Sequence, residues 1–208
     1  MRIGASTLAV ATVAASAVLT VAACAPAAED TRSNGESLLA LVDLAAQRVQ
    51  IADAVAAAKW GTDSPINDPV REQAVLRSAA TKSAQLAIDP AVSIPIFTDQ
   101  IEANKTAQYV LSSYWSTHPD RVPSTRADLK SIRPILDQTT DGLLTQLKAT
   151  QHIRAAPGCA VQLAAARQHV KQERALDPLH DNALGRALKS VCRVETTTTR
   201  PATPISPP

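Results

Sequence analysis

The sequence has few of the residues on which β-sheet folds depend. Only 2 % of its 208 residues are aromatic and only six are glycine, and β-branched residues seldom alternate with polar ones. Alanine and leucine are abundant instead, and both favour helices. The composition therefore predicts an all-α fold, and the length suits one ordinary domain with terminal extensions.

A concentrated charge of either sign is also absent. Lysine and arginine number 21 against 19 acidic residues, which leaves a net charge of +2 without a basic tract. Non-specific nucleic-acid binding needs a concentrated positive field, so we expect no nucleic-acid partner. The four histidines have no metal-ligand spacing, and CxxC, GxSxG and glycine-rich phosphate motifs are missing. These absences argue against a metal centre and against nucleophilic catalysis.

The N-terminus has the pattern of an export signal. Arg2 precedes an uncharged apolar run over residues 3–23, and alanine, serine and threonine make this run too weakly hydrophobic to favour a retained membrane helix. The run ends at Val-Ala-Ala-Cys24, which resembles a bacterial lipobox whose cysteine is lipidated. The alternative is cleavage after Ala27, which follows an Ala-x-Ala pattern. Both predict an exported protein, periplasmic or extracellular, with a membrane anchor if Cys24 is lipidated.

Export also bears on the two other cysteines, Cys159 and Cys192. They are an even pair in an oxidising compartment, so we expect a disulfide between them, with two buried thiols as the alternative. A disulfide across this 33-residue interval would stabilise the fold by about 3–4 kcal/mol.

The chain divides into a signal segment (1–24), a polar linker (25–35), a helical domain (36–195) and a Thr/Pro-rich tail (196–208) that we expect to be disordered. Three Asp-Pro pairs predict helix starts, with aspartate as N-cap and proline at the first position. Six helices are predicted, over residues 36–60, 68–87, 89–116, 124–152, 159–176 and 177–192. Pro95 predicts a kink or a false start in the third, and Pro134 an irregularity in the fourth.

The first predicted helix carries two cations on one face. Eleven positions separate Arg48 from Lys59, which is within about 20° of three whole turns and about 16 Å along the axis. Ala52, Val55 and Ala56 lie between them on that face. Two long basic side chains above small residues leave a gap sized for a compact anion.

Two further clusters of charged or polar residues follow along the sequence. Asp68, Arg71 and Glu72 share a face at the start of the second helix, and Asn104 and Gln108 are one turn apart in the third. Taken singly, each could be a cap or an exposed residue.

Taken together, these residues resemble the all-helical chorismate mutases, in particular their exported (gamma) subclass. The resemblance is carried by the intervals 11, 9, 3 and 1 between Arg48, Lys59, Asp68, Arg71 and Glu72, by the segment PINDPVRE, and by Asn104 and Gln108 within FTDQIEANKTAQY. It covers about residues 36–192. The exported subclass also has a disulfide near its C-terminus, which Cys159 and Cys192 match.

The resemblance implies a single-domain bundle of about six helices, of the chorismate mutase type II kind, that works without a cofactor. It also implies rearrangement of chorismate to prephenate, a step of aromatic amino acid biosynthesis. The substrate is a dianion that must be held with its enolpyruvyl arm folded over the ring, and no covalent intermediate is needed. Negative charge grows on the ether oxygen in the transition state, where a fixed cation and a donor stabilise it.

The family's pattern also implies a role for each residue. Lys59, Gln108 and Arg48 are predicted to be catalytic, as the cation and the donor at the ether oxygen and as a carboxylate clamp. Glu72 would accept from the ring hydroxyl, Arg71 and Asp68 would shape that end of the pocket, and Asn104, where a hydroxyl residue is more usual, would contact a carboxylate. Arg133 of the fourth helix would clamp the second carboxylate, with Arg126 as its rival.

In cytoplasmic relatives that second clamp comes from another subunit, so the resemblance implies a pocket within one chain here. The oligomeric state stays open between a monomer and a homodimer. The alternative function is an exported binding protein or envelope lipoprotein that has the fold without the activity. A gap in the cationic set would favour that alternative.

Overall fold

The computed structural model describes residues 27–192, with side chains from residue 38 onward. This part of the chain forms seven α-helices and no strand, so the predicted all-α bundle is confirmed. The helices are α1 (Ala27–Lys59), α2 (Pro69–Gln85), α3 (Pro90–Thr117), α4 (Leu129–Ala149), α5 (Gln151–Ala155), α6 (Cys159–Glu173) and α7 (Pro178–Ala187), with a 3-10 turn at Pro119–Arg121. The predicted signal segment with Cys24 and the predicted tail lie outside the described residues.

The Asp-Pro pairs begin α2, α3 and α7, as the sequence predicts. In each case the aspartate side chain accepts a hydrogen bond from a backbone N–H of the first turn, at 2.8–2.9 Å. The first turn of a helix has N–H groups without partners inside the helix, and the caps satisfy one of them. These starts depend on local chemistry alone.

The predicted helix over residues 124–152 is wrong at both ends. Asp128 caps α4 by accepting the Ser131 N–H at 2.8 Å, so the helix begins five residues later. At the other end the buried Thr150 donates its hydroxyl to the carbonyl of Gln146 at 2.7 Å, and the chain restarts there as α5. Pro134 does not interrupt α4, since one missing N–H near the start of the helix leaves the other bonds in place.

Other predicted features of the helices also differ from the structure. α1 begins at Ala27 and so includes most of the predicted linker. The helix opens with two alanines followed by Glu29 and Asp30, a sequence that favours a helix N-terminus. α3 runs through Pro95 from Pro90 onward, which rules out a false start. α7 ends at Ala187 rather than near residue 192, because the next residues form i→i+3 turns.

α1 lies at the centre of the bundle and packs against α3, α4, α6 and α7. Its buried stripe supplies much of the core, together with Ile96 and Phe97 of α3 and leucines of α4; each fully buried large side chain contributes roughly 1.5–3 kcal/mol. The same stripe continues from Leu41 and Ala45 to Arg48, which is why this arginine is buried. No helix in the described part of the chain is both long and apolar enough to cross a membrane.

Cys159 and Cys192 form the predicted disulfide, with 5.7 Å between their Cα atoms. The bond joins the start of α6 to the segment that follows α7. The prediction of one disulfide near the C-terminus is confirmed.

Replacing both cysteines, as Cys159→Ser with Cys192→Ser, should lower the free energy of unfolding by about 3–4 kcal/mol, because the unfolded chain regains the entropy of an open 33-residue loop. Urea denaturation measures the difference. A reductant should destabilise the wild type to a similar degree and leave the double variant unchanged. Equal unfolding free energies for the two proteins would contradict this account.

Candidate functional site

A cavity of about 220 Å³ lies among α1, α2, α3, α4 and the segment between α1 and α2. All eight residues predicted for the site line it: Arg48, Lys59, Asp68, Arg71, Glu72, Asn104, Gln108 and Arg133. Its charged lining consists of five cations, the four named here and Lys105, and three carboxylates, Asp68, Glu72 and Asp137. The excess of two positive charges matches a small dianion.

Arg48 is held by α4 on one side of its guanidinium. It is only 7 % exposed, and its Nη1 donates to the carbonyl of Leu136 at 2.8 Å and to the hydroxyls of Thr139 and Thr140 at 3.1 and 2.9 Å. Its Nε is buried without a partner. Burial lowers the pKa of Arg48 to about 10, which still leaves it cationic at neutral pH. One edge of the guanidinium is therefore bound to α4, and its other N–H groups remain available to a ligand.

Lys59 is the last residue of α1 and is partly buried. Its Nζ donates to the carbonyl of Pro65 at 2.8 Å, and an ammonium has two further N–H groups to donate. Burial lowers the pKa of Lys59, and the nearby charges of Asp68 and Glu72 oppose that shift. The next residue, Trp60, packs edge-on against a tryptophan of α3 with 5.7 Å between ring centroids, which fixes this end of α1.

Gln108 and Asn104 form an amide chain from α3 to α1. Gln108 is 3 % exposed and donates its Nε2 to Asn104 Oδ1 at 2.6 Å. Asn104 in turn donates its Nδ2 to the carbonyl of Arg48 at 3.1 Å. These two hydrogen bonds fix the position of the Gln108 amide, which belongs to α3, whereas the two cations belong to α1.

Four buried polar atoms of the cavity wall have no hydrogen-bond partner among the described residues. They are Arg48 Nε, Glu72 Oε1, Gln100 Oε1 and Gln108 Oε1. Of these, Glu72 Oε1 is within ion-pair distance of the Lys105 ammonium, at 3.1 Å, without hydrogen-bond geometry. Buried polar atoms are nearly always paired in folded proteins. Their concentration around one cavity indicates a site for a polar ligand.

The start of α2 contributes a cap, a cation and a carboxylate. Asp68 accepts the backbone N–H of Arg71 at 2.9 Å, so it is the N-cap of α2 as well as part of the wall.

Within residues 38–192, neither Arg71 nor Arg133 makes a side-chain hydrogen bond or ion pair. Arg126 does not line the cavity and donates to the carbonyl of Trp60 at 2.8 Å, so the structure places Arg133 rather than its rival there.

Sequence reasoning missed several lining residues. Gln100 lies one turn before Asn104 on the same face of α3, and Asp137 lies one turn after Arg133, so helical periodicity could have found both. Lys105 lies three residues before Gln108, so periodicity could have placed it there too, but nothing in the sequence signals its partner Glu72. Its ion pairs with Glu72 and Glu102, at 3.1 and 2.9 Å, depend partly on the packing of α2 against α3.

A second, larger depression of about 730 Å³ lies between α1 and α6. It is open, and its polar groups bind each other: Arg174 contacts Asp43 and donates to Gln50 at 3.0 Å. No group of three or more metal-ligating side chains occurs in the described residues. The 220 Å³ cavity is therefore the stronger candidate for chemistry.

The fold and the cavity define a helical protein with a preformed binding site for a small anion. Residues 39–109 match the model of the family Chorismate mutase type II. A secreted chorismate mutase of Mycobacterium tuberculosis is 36 % identical over 163 residues, covering 78 % of this chain and 82 % of the relative; that of Mycolicibacterium smegmatis is 32 % identical, covering 78 % and 90 %. The chain belongs to the chorismate mutase type II family.

Solved structures agree with this assignment. A chorismate mutase from Burkholderia phymatum superposes with a TM-score of 0.75 at 34 % identity, covering 78 % of this chain and 99 % of that one. A secreted chorismate mutase from Yersinia pestis gives 0.59 at 19 % identity, covering 73 % and 94 %, and this second likeness concerns the fold alone.

Proposed function

We propose that this protein is an exported chorismate mutase that rearranges chorismate to prephenate without a covalent intermediate. The observation that carries the proposal is the convergence of all eight predicted residues on one cavity with an excess of two positive charges. A binding protein that had lost catalysis would be marked by a gap in the cationic set. Because Arg133 lines the cavity, the set has no such gap.

The direct test follows the ultraviolet absorbance of chorismate after addition of purified protein. An enzyme removes the absorbance catalytically, at a rate proportional to protein concentration. Binding without turnover leaves the absorbance in place and would favour the alternative function.

The reaction first requires that the dianion be held in its folded conformation. Arg48 offers the free part of its guanidinium to one carboxylate, and the unpaired Arg133 offers its fork to the other. Arg71 adds positive charge near the start of α2. Holding the two carbons that will bond close together removes much of the entropic barrier.

The chemical step then requires stabilisation of the breaking ether bond. Because the C–O bond breaks ahead of C–C formation, negative charge grows on the ether oxygen. The Lys59 ammonium has N–H groups left after its bond to Pro65, and the Gln108 amide has a second N–H beyond the one given to Asn104. Donors fixed before the reaction stabilise this charge more than they stabilise the substrate.

The remaining lining residues have supporting roles. Glu72 Oε1 lies 3.1 Å from the Lys105 ammonium but accepts no hydrogen bond, so it can accept one from the ring hydroxyl. Asn104 orients Gln108 through the 2.6 Å bond and keeps one N–H for a substrate carboxylate. Asp68 acts mainly as the N-cap that fixes the first turn of α2.

The donor at Gln108 predicts the pH dependence of catalysis. A neutral amide does not titrate, so wild-type kcat/KM should change little between about pH 5 and 7.5. Gln108→Glu should be slow at neutral pH and recover on acidification, because only the protonated carboxyl donates a hydrogen bond. The measurement is kcat/KM against pH, with exposed Gln138→Glu as the control that keeps the wild-type profile. A steep acid decline of the folded wild type would exclude Gln108 as the donor.

Export is proposed on the signal pattern of residues 1–24 and on the secreted relatives. Lipidation at Cys24 makes the protein membrane-anchored, whereas cleavage after Ala27 releases it. The mass of the mature N-terminus distinguishes the two. A homodimer is compatible with either, and all eight predicted site residues belong to one chain.

A further inference from the structure

Lys105 is a cation of the cavity wall whose positive charge is neutralised by carboxylates of the protein itself. Its side chain is 14 % exposed. The ammonium lies 3.1 Å from Glu72 Oε1 and donates to Glu72 Oε2 at 3.3 Å, and it also donates to Glu102 Oε1 at 2.9 Å. Burial lowers the pKa of Lys105, but the hydrogen bonds to Glu102 and Glu72 outweigh it and raise the pKa overall.

Lys105 is itself held in place from a third helix. Glu102 accepts from Arg186 of α7 at 3.4 Å while its other oxygen accepts from Lys105. The ion pairs therefore run from α7 through α3 to Glu72 of α2. Lys105 has a partner on the side away from the cavity, which keeps its ammonium beside Glu72.

Glu72 has a second cation within electrostatic reach. Its charge acts on Lys59, yet no hydrogen bond joins the two, since Lys59 donates to Pro65 instead. A carboxylate released from Lys105 would be drawn to Lys59. A direct ion pair there would neutralise the charge proposed to act on the ether oxygen.

We propose that Lys105 is a positioning residue that holds the Glu72 carboxylate away from Lys59 and in place to accept a hydrogen bond from the substrate hydroxyl. The inference rests on the proposed function of this same cavity. The ammonium contacts both Glu72 oxygens, and only its contact with Oε2 has hydrogen-bond geometry, so Oε1 keeps its capacity to accept a hydrogen bond. The cation also offsets the carboxylate: without Lys105 the lining keeps four cations against three carboxylates, which is one positive charge for a doubly charged substrate.

Lys105→Met should lower kcat/KM by about 10–30-fold, within the range of coupling between contacting charged residues. Lys105→Arg, which keeps the charge, should recover most of the activity. Lys82→Met is the matched control: Lys82 also joins two helices, through Asp141 of α4, but does not line the cavity. Its kcat/KM should equal that of the wild type.

The decisive measurement is a double-mutant cycle with Glu72→Gln, which removes the carboxylate that Lys105 is proposed to position. In that background Lys105→Met should change kcat/KM by less than about threefold. A full effect in the absence of the Glu72 charge would overturn the inference, because Lys105 would then act directly on the substrate or on the fold. The same cycle with Lys105→Gln decides the matter if the methionine variant does not fold.

Failure of this inference and failure of the proposed function give different results. A wild type that turns over chorismate, with additive effects in the cycle, rejects the role of Lys105 alone. A folded wild type without turnover overturns both.

Discussion

Lys59→Ala should lower kcat/KM for chorismate by about 10²–10³-fold, equivalent to about 3–4 kcal/mol, as removal of an oxyanion-type donor does. The effect is large because Lys59 is the proposed cation at the ether oxygen. It is partly buried, so water screens its charge less than it would on the surface. Initial rates of chorismate loss, measured over a range of substrate concentrations, give the value.

The matched control is Lys189→Ala. Lys189 is exposed and lies outside the cavity, so its removal should leave kcat/KM unchanged. Circular dichroism shows whether each variant keeps its helices. Near-wild-type turnover by a folded Lys59→Ala protein would reject the proposed mechanism.

Arg48→Lys should lower kcat/KM by about 10²-fold although the positive charge is kept. The guanidinium bonds to α4 through Nη1 while the rest of the fork remains for a carboxylate, and an ammonium on a shorter stem cannot do both. The carboxylate contact exists in the bound substrate as well as in the transition state. The loss should therefore appear mainly as a higher KM.

Arg77→Lys provides the comparison, since Arg77 is an exposed arginine of α2 that does not line the cavity. Both variants are assayed under identical conditions, with the free energy of unfolding measured alongside. If Arg48→Lys left KM unchanged, the proposed carboxylate clamp would have to lie elsewhere.

The parts of the fold that the sequence predicts correctly depend on neighbouring residues. The three Asp-Pro starts need only an aspartate side chain and the N–H groups that follow it. The ends of α4 are different. Asp128 caps the start by the same kind of bond, but no proline follows it to mark the position in the sequence. Thr150 at the other end is fully buried in the bundle. Such packing cannot be read from a local pattern.

The same distinction holds for the cavity. Arg48 and Lys59 are predicted to share a face because they belong to one helix with a fixed period. The convergence of α2, α3 and α4 on that face came from the resemblance to a family rather than from periodicity. Neither source predicts the pairing of Lys105 with Glu72, since the two lie 33 positions apart on different helices. Contacts of this kind become visible only in the folded structure.

The described cavity is lined entirely by α1–α4 and the segment between α1 and α2 of one polypeptide. Dilution therefore leaves these lining residues together, whereas it would separate a residue that had to arrive from a second molecule. For an enzyme released into a large external volume, as proposed here, catalysis per molecule would not depend on how far the molecules spread. Self-sufficiency of each chain suits a catalyst that works beyond the control of the cell that made it.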